Sequence, residues 1–179
     1  DGGDELFGGY NRYFEIRKIW QMLNRIPGRQ IASKLFAISG HLFPGRWKER
    51  FLHRAKLFGL RDATSLYQIA NLHWRPDNDL VLNSRDAVST YWNSDEWLRT
   101  GNSFEEWMWL DTVTYLPDDI LTKVDRASMA VSLEVRVPVI DHRVFEFAWS
   151  LPFEMKAGTG SGKLILQELL SRHVPRAMF

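Results

Sequence analysis

Asp1-Gly-Gly-Asp-Glu-Leu-Phe-Gly-Gly-Tyr10 gathers four glycines and three carboxylates into ten residues. Closely spaced glycine lets backbone approach a ligand or another stretch of backbone, so the segment reads as a tight loop turning into a helix. Asp1 and Asp4 stand three positions apart beside Glu5. Hard oxygen donors grouped this way suit Mg²⁺ carrying nucleotide phosphates, an ion that binds through few carboxylates and keeps several waters. The glycines supply the close approach that a polyphosphate demands. A glycine-rich turn with solvated acids is the plainer reading of the same residues.

Outward from this loop the pattern is helical. From Asn11 the apolar residues Phe14, Ile16, Ile19, Trp20, Leu23 and Ile26 fall close to i, i+3, i+4 spacing, until Pro27-Gly28 stops the run. Further helices are expected over 29–41, 47–57 and 64–72, the first of these ending before Pro44-Gly45. The stretch 75–94 is the least regular and reads as a loop with a short helix. Ser103-Phe-Glu-Glu106 is a capping box opening a helix through Val113. Pro117 marks a junction, with a helix expected over 118–129. Val135-Arg-Val-Pro138 looks extended because proline disfavours helix at the residue before it. Short helices are expected over 144–150 and 163–173, and Ala157-Gly-Thr-Gly-Ser-Gly162 reads as a flexible linker.

Composition narrows the class. The chain has 179 residues, enough for one domain with a real core, and 23 Lys and Arg against 22 acidic residues. That balance gives no electrostatic reason to expect nucleic acid. The absence of Cys excludes disulfides, thiolate metal sites and a Cys nucleophile within these residues and fits a reducing compartment. No apolar run approaches the ~20 residues of a membrane span. Eight Trp residues are dispersed along the chain and read as packing. An opening at Asp1 without Met or leader makes an excised piece the expectation.

Three blocks in order resemble the asparagine synthetase (glutamine-hydrolysing) family. They are residues 1–10; Leu116-Pro-Asp-Asp-Ile-Leu-Thr-Lys-Val-Asp-Arg-Ala-Ser-Met-Ala130; and Leu133-Glu-Val-Arg-Val-Pro138 followed by Asp141. Residues 11–102 carry no motif of that family and read as a variable helical region, with 103–179 a helical region holding the later motifs. The resemblance implies a single truncated fragment of the C-terminal synthetase domain. Its fold would be mainly α, the helical portion of an adenine-nucleotide α-hydrolase-like (ATP pyrophosphatase) domain whose parallel sheet is mostly missing. The implied parent is a carbon–nitrogen ligase of the cytoplasm using ATP and Mg²⁺. It adenylates the side chain of aspartate, then amidates it with ammonia from a glutaminase domain in cis, with no nucleic-acid or membrane partner and a homo-oligomer left open.

By position, Asp4 resembles the family's Mg²⁺-pyrophosphate carboxylate, and Asp1, Gly2 and Gly3 lie in the ATP/pyrophosphate-binding stretch. Tyr10 resembles a tyrosine that pairs with an acid to handle a proton in the related β-lactam synthetases, and Asp119, or its neighbour Asp118, is the expected acid. Tyr10 packing at a helix start and Asp118 capping a helix are the structural alternatives. Arg126, Glu134 and Arg136 read as bracing, since Glu and Arg two apart in an extended segment point to one side. Gly158-Thr-Gly-Ser-Gly-Lys163 mimics a P-loop, but its glycine spacing is one short and Leu164 stands where a Ser or Thr is needed. The family's pyrophosphate loop, glutaminase Cys and late Lys motif are not among these residues, so the fragment alone is expected to be inactive. Leu6, Phe7 and the apolar residues of 135–140 are expected to form a partly uncovered face. Two other readings remain: a non-catalytic helical interaction module, and a related amidotransferase acting on another carboxylate.

Overall fold

The computed structural model describes residues 1–72, 89–158 and 160–178. The described residues are mainly helical and contain no strand. In chain order the helices are α1 (Gly3–Phe7), α2 (Asn11–Asn24), α3 (Arg29–Leu42), α4 (Arg46–Gly59) and α5 (Ala63–Ala70), then α6 (Ser103–Val113), α7 (Thr122–Met129), α8 (His142–Ser150), α9 (Phe153–Lys156) and α10 (Leu164–Ser171). A π-helical turn, Leu116–Leu121, runs directly into α7. None of these helices is long and apolar enough to cross a membrane.

The chain divides into two compact units. One combines Asp1–Phe14 with Val81–Phe179, and the other is Glu15–Leu80. The boundary falls inside α2. In the first unit, α1 is buried in the middle of the packing. Leu6 and Phe7 cluster with Ala148 of α8, and Val139, Phe145, Trp149, Ile165 and Leu166 close around them. Phe104 at the start of α6 brings four rings together. Its centroid lies 5.0 Å from Tyr13 and from Phe14, 5.1 Å from Phe153 and 6.2 Å from Trp107. Met108 and Leu110 are buried as well, so α6 supplies much of the core of this unit.

The second unit is built on the α3–α4 hairpin. Pro44-Gly45 turns the chain, and the Arg29 guanidinium ties the hairpin's open end by donating to the carbonyls of Phe58 (3.0 Å) and Leu60 (2.6 Å). Aromatic contacts between Phe36 and both Phe51 and Phe58 fill the space between the helices.

Several expectations are corrected. Leu6 and Phe7 are not uncovered: they are 1% and 3% exposed, because α8 and α10 supply their cover from within the chain. The cap of α6 is Asn102, whose side chain accepts from the Phe104 amide, rather than Ser103. The helix expected over 118–129 is present but starts earlier, at Leu116, with Pro117 in the first turn of its π-helical segment, where the missing N–H is tolerated. The described residues of the expected linker are tied down: Ala157 and Gly162 are buried, as is Lys156 before them, and the Gly158 amide donates to the Ser161 carbonyl. The short helix expected within 75–94 lies, as far as residue 88, outside the described residues.

Candidate functional site

The glycine-rich opening and the segment before α10 meet. The Lys163 amide donates to the Phe7 carbonyl at 2.8 Å, and the Lys163 ammonium reaches the Asp4 carboxylate at 2.9 Å. This contact joins residues 159 positions apart. Glycine makes it sterically feasible at both ends. A Cβ on Gly162 would stand 1.8 Å from the Gly8 carbonyl oxygen, and one on Gly9 would strike the Lys163 stem and the Asp4 carboxylate at 2.2 and 2.3 Å. Asp4 and Lys163 each keep about a third of their side chain open to solvent, at 35% and 37%. An accessible, oppositely charged pair on a bare loop is what an anionic ligand with its metal can enter.

Behind the pair lies a second network. Glu5 is buried, and its carboxylate accepts the Tyr10 hydroxyl at 2.6 Å. Burial, and then this hydrogen bond, push the Tyr10 phenol well above its ordinary range, so it keeps its proton at neutral pH. Arg12 lies over the Tyr10 ring at 4.0 Å and the Tyr115 ring at 4.7 Å. It is anchored by the buried Asp111 carboxylate at 2.5 Å, which also accepts the Tyr13 hydroxyl at 2.7 Å. The phenol is thus held on both sides: a carboxylate on its oxygen, a guanidinium on its face.

Asp119 is placed differently from expectation. Its carboxylate pairs with Lys123 one turn on, at 2.6 Å, while the acid on Tyr10 is Glu5. Asp118 is exposed. Asp1 is exposed next to the buried Gly2, and Gly3 begins α1 with Asp4 following it. Glu134 and Arg136 do pair with each other, but both side chains are more than two-thirds exposed, where such a pair braces little. Arg126 is likewise exposed, with the Asp125 carboxylate 3.9 Å away.

Sequence reasoning did not assign Glu5 or Lys163 to the site. Glu5 stood beside the chosen carboxylates, and its helix turns it inward, away from Asp4. Lys163 closed the segment set aside as a false P-loop. Among the described residues no group of three or more His, Cys, Asp or Glu is placed to hold a metal ion. The donor set therefore fits an ion that brings phosphate and water oxygens of its own, with Asp4 as the accessible carboxylate.

A family model described as asparagine synthase matches residues 1–179. The glutamine-hydrolysing asparagine synthetase 1 of Bacillus subtilis (strain 168) is 30% identical over 186 residues, covering 98% of this chain and 28% of that protein. A putative glutamine-hydrolysing asparagine synthetase of Mycobacterium tuberculosis is also 30% identical, over 98% of the chain and 27% of its own length. The B. subtilis asparagine synthetase 3 is 46% identical over 57 residues, 32% of the chain and 9% of that protein. The chain spans little more than a quarter of the length of the first two relatives. No solved structure matches it.

Proposed function

The chain belongs to the asparagine synthase family, and from that premise we propose that it forms part of the ATP site of a glutamine-dependent ligase that makes asparagine from aspartate. A β-carboxylate oxygen of aspartate attacks the α-phosphorus of ATP, a P–O bond forms, and pyrophosphate leaves. Ammonia then attacks the β-carbonyl carbon of the adenylate, and AMP leaves as the C–N bond forms. The observation that carries this reading is the Asp4–Lys163 pair on the bare Gly9 backbone.

Asp4, with Asp1 beside it, would hold Mg²⁺, which when bound neutralises charge developing on the departing pyrophosphate. Lys163 offers a cation at the same place and can turn from Asp4 to a phosphate oxygen, exchanging one charge-assisted contact for another. The amidation step needs a proton acceptor, because attacking ammonia becomes an ammonium. Tyr10 and Glu5 suit that task together. The phenol oxygen can take the amine proton as the phenol proton passes to Glu5 along the 2.6 Å hydrogen bond. Arg12, fixed by Asp111, keeps the ring in place and, as a neighbouring cation, opposes the build-up of positive charge on the dyad. Asp119, half-buried and paired with Lys123, has no part in this proton path.

The test is isotope exchange between pyrophosphate and ATP in the full-length polypeptide. Aspartate-dependent exchange is expected. Release of inorganic phosphate and ADP instead would refute adenylation, and exchange that needs another carboxylate would refute aspartate as the acceptor.

A further inference from the structure

Charge is unevenly spread along this chain. Residues 15–72 hold eleven Lys and Arg against three acidic residues, and the rest of the chain holds twelve against nineteen. A balanced total thus hides a basic unit, a pattern that points to an anionic partner. Five of the eleven cations stand on α4, opposed there by Glu49 alone.

The tip of the α3–α4 hairpin adds apolar surface to this charge. All ten residues of His41-Leu-Phe-Pro-Gly-Arg-Trp-Lys-Glu-Arg50 are exposed. Leu42, Phe43 and Trp47 among them are 72%, 51% and 49% open. Their placement is fixed rather than loose. The Phe43 ring lies 5.6 Å and the Trp47 ring 6.3 Å from Phe51, so one inner ring carries both. Gly45, at a φ of +66°, makes the turn, and its carbonyl accepts the Lys48 amide at 3.0 Å as α4 begins. Rings already held by the fold lose little further freedom when a partner covers them.

The cations surround these rings. Arg46, Lys48 and Arg50 stand in the first turns of α4, with Arg46 and Arg50 about 6 Å apart along the helix axis. The Arg50 guanidinium lies 5.4 Å from the centre of the Trp47 ring, so charge and ring can enter an interface together. Arg54 follows one turn on, 5.9 Å from the Phe36 ring of α3. An apolar tip entering about 5–10 Å beneath a collar of Lys and Arg is how a protein rests on the headgroup–acyl boundary of an anionic bilayer. Tryptophan suits that boundary, being apolar in body with one N–H to place in the headgroups. Nucleic acid, the other polyanion, could stack on the rings but would leave Leu42 without a role. A second copy of the same tip would bring like charges together.

We propose that the tip of the α3–α4 hairpin, residues 42–50, docks on anionic phospholipid bilayers as a peripheral contact. None of the described helices is long and apolar enough to cross a membrane, and none needs to for this contact. The proposal departs from the family resemblance, which implies no membrane partner, and does not depend on the reading of the ATP site.

The experiment takes the full-length polypeptide with two kinds of vesicle, phosphatidylcholine alone and phosphatidylcholine with about 30% phosphatidylserine as the anionic lipid. Co-sedimentation, amide hydrogen exchange and helicity are followed together. The wild type is expected to pellet with the anionic vesicles, at least about tenfold more weakly with the neutral ones, and less as salt is added. Exchange should slow within residues 42–50 on binding. Each cation near an anionic surface changes binding about fivefold, so Arg46→Glu combined with Lys48→Glu should weaken it at least a hundredfold. Phe43→Ser combined with Trp47→Ser should weaken it at least about tenfold, through lost apolar burial. Leu42→Ser, at the most exposed of the three, replaces that pair should helicity fall. Arg61→Glu, beyond the other end of α4, should leave most of the binding in place. Failure to pellet with the phosphatidylserine vesicles overturns the proposal, as does equal binding to both vesicle types. So does binding that the charge pair or both apolar variants leave unchanged, or that Arg61→Glu removes equally well, or slowed exchange confined to other residues. Two results name another occupant and overturn it too. One is a tip whose exchange is already slow without vesicles, which puts another protein segment on it; the other is single-stranded RNA bound through the tip by a protein that ignores vesicles.

Discussion

Replacing Asp4 by Asn separates a ligand-binding carboxylate from a structural one. The folded state loses little. The Asp4–Lys163 contact is 2.9 Å long, but both side chains are about a third exposed, and solvent screens the pair. Ion pairs of this kind contribute about 0.2–1 kcal/mol, and Asn leaves a carbonyl oxygen within reach of the ammonium. The melting temperature should fall by no more than about 2–4 °C for a chain of this size. Catalysis should lose much more, because a full negative charge facing the metal and pyrophosphate is removed. A loss of roughly 3 kcal/mol in the transition state lowers the rate of adenylation about a hundredfold. The assay measures pyrophosphate from ATP and aspartate, glutamate from glutamine, and a thermal melt, all on the full-length polypeptide. Glutamate production should persist. Lys163→Met, combined with Asp4→Asn, completes a double-mutant cycle. If Lys163 serves only to neutralise Asp4, the double variant is no slower than Asp4→Asn; if it also meets phosphate, it is slower. Near-normal pyrophosphate release by Asp4→Asn, or a loss explained by unfolding, refutes the assignment.

Three further outcomes follow from the same geometry. Tyr10→Phe takes the hydroxyl from a buried carboxylate and should cost about 1–3 kcal/mol in a denaturant titration; pyrophosphate release should survive in this variant while asparagine formation fails. Gly162→Ala drives a methyl into the Gly8 carbonyl, so it should destabilise by about 1–3 kcal/mol and expose Lys163 to faster amine modification. Asp141 caps α8 through the Arg143 amide, and its hydrogen bonds to Arg143 hold its carboxyl below the usual range. A lowered folded-state pKa means that its contribution is present above the unfolded carboxylate value and lost as the pH falls through the lowered one. Asp141→Ala should therefore lower the melting temperature at pH 7 and leave it unchanged at roughly pH 2.

Local chemistry was legible and distant meeting was not. The expected 29–41 helix is observed as Arg29–Leu42, because Pro27-Gly28 and Pro44-Gly45 punctuate the chain whatever surrounds them. Asn102 and Ser103 are both good caps, and composition cannot rank them. The backbone does, since Asn102 takes the extended conformation a cap needs. The glycines of 158–162 were read as freedom, whereas Gly162 is there because nothing larger fits against Gly8. Tyr10 was given an acid more than a hundred residues away, when the structure supplies one from the preceding turn of the same loop. Lys163 could not be placed on Asp4 from either end, because only the intervening fold brings them together.

The way the site is stitched from both ends of the chain has an evolutionary consequence. Residues 15–80 form their own unit, a detour between the segment holding Asp4, Glu5 and Tyr10 and the segment holding Asp111 and Lys163. The entropy of closing such a detour grows only with the logarithm of its length, about 0.6 kcal/mol for each doubling. Lineages can therefore lengthen, trim or resurface this region at small energetic penalty while the residues at its two ends stay in register. Selection for new assemblies and selection for unchanged chemistry act on separate parts of one polypeptide.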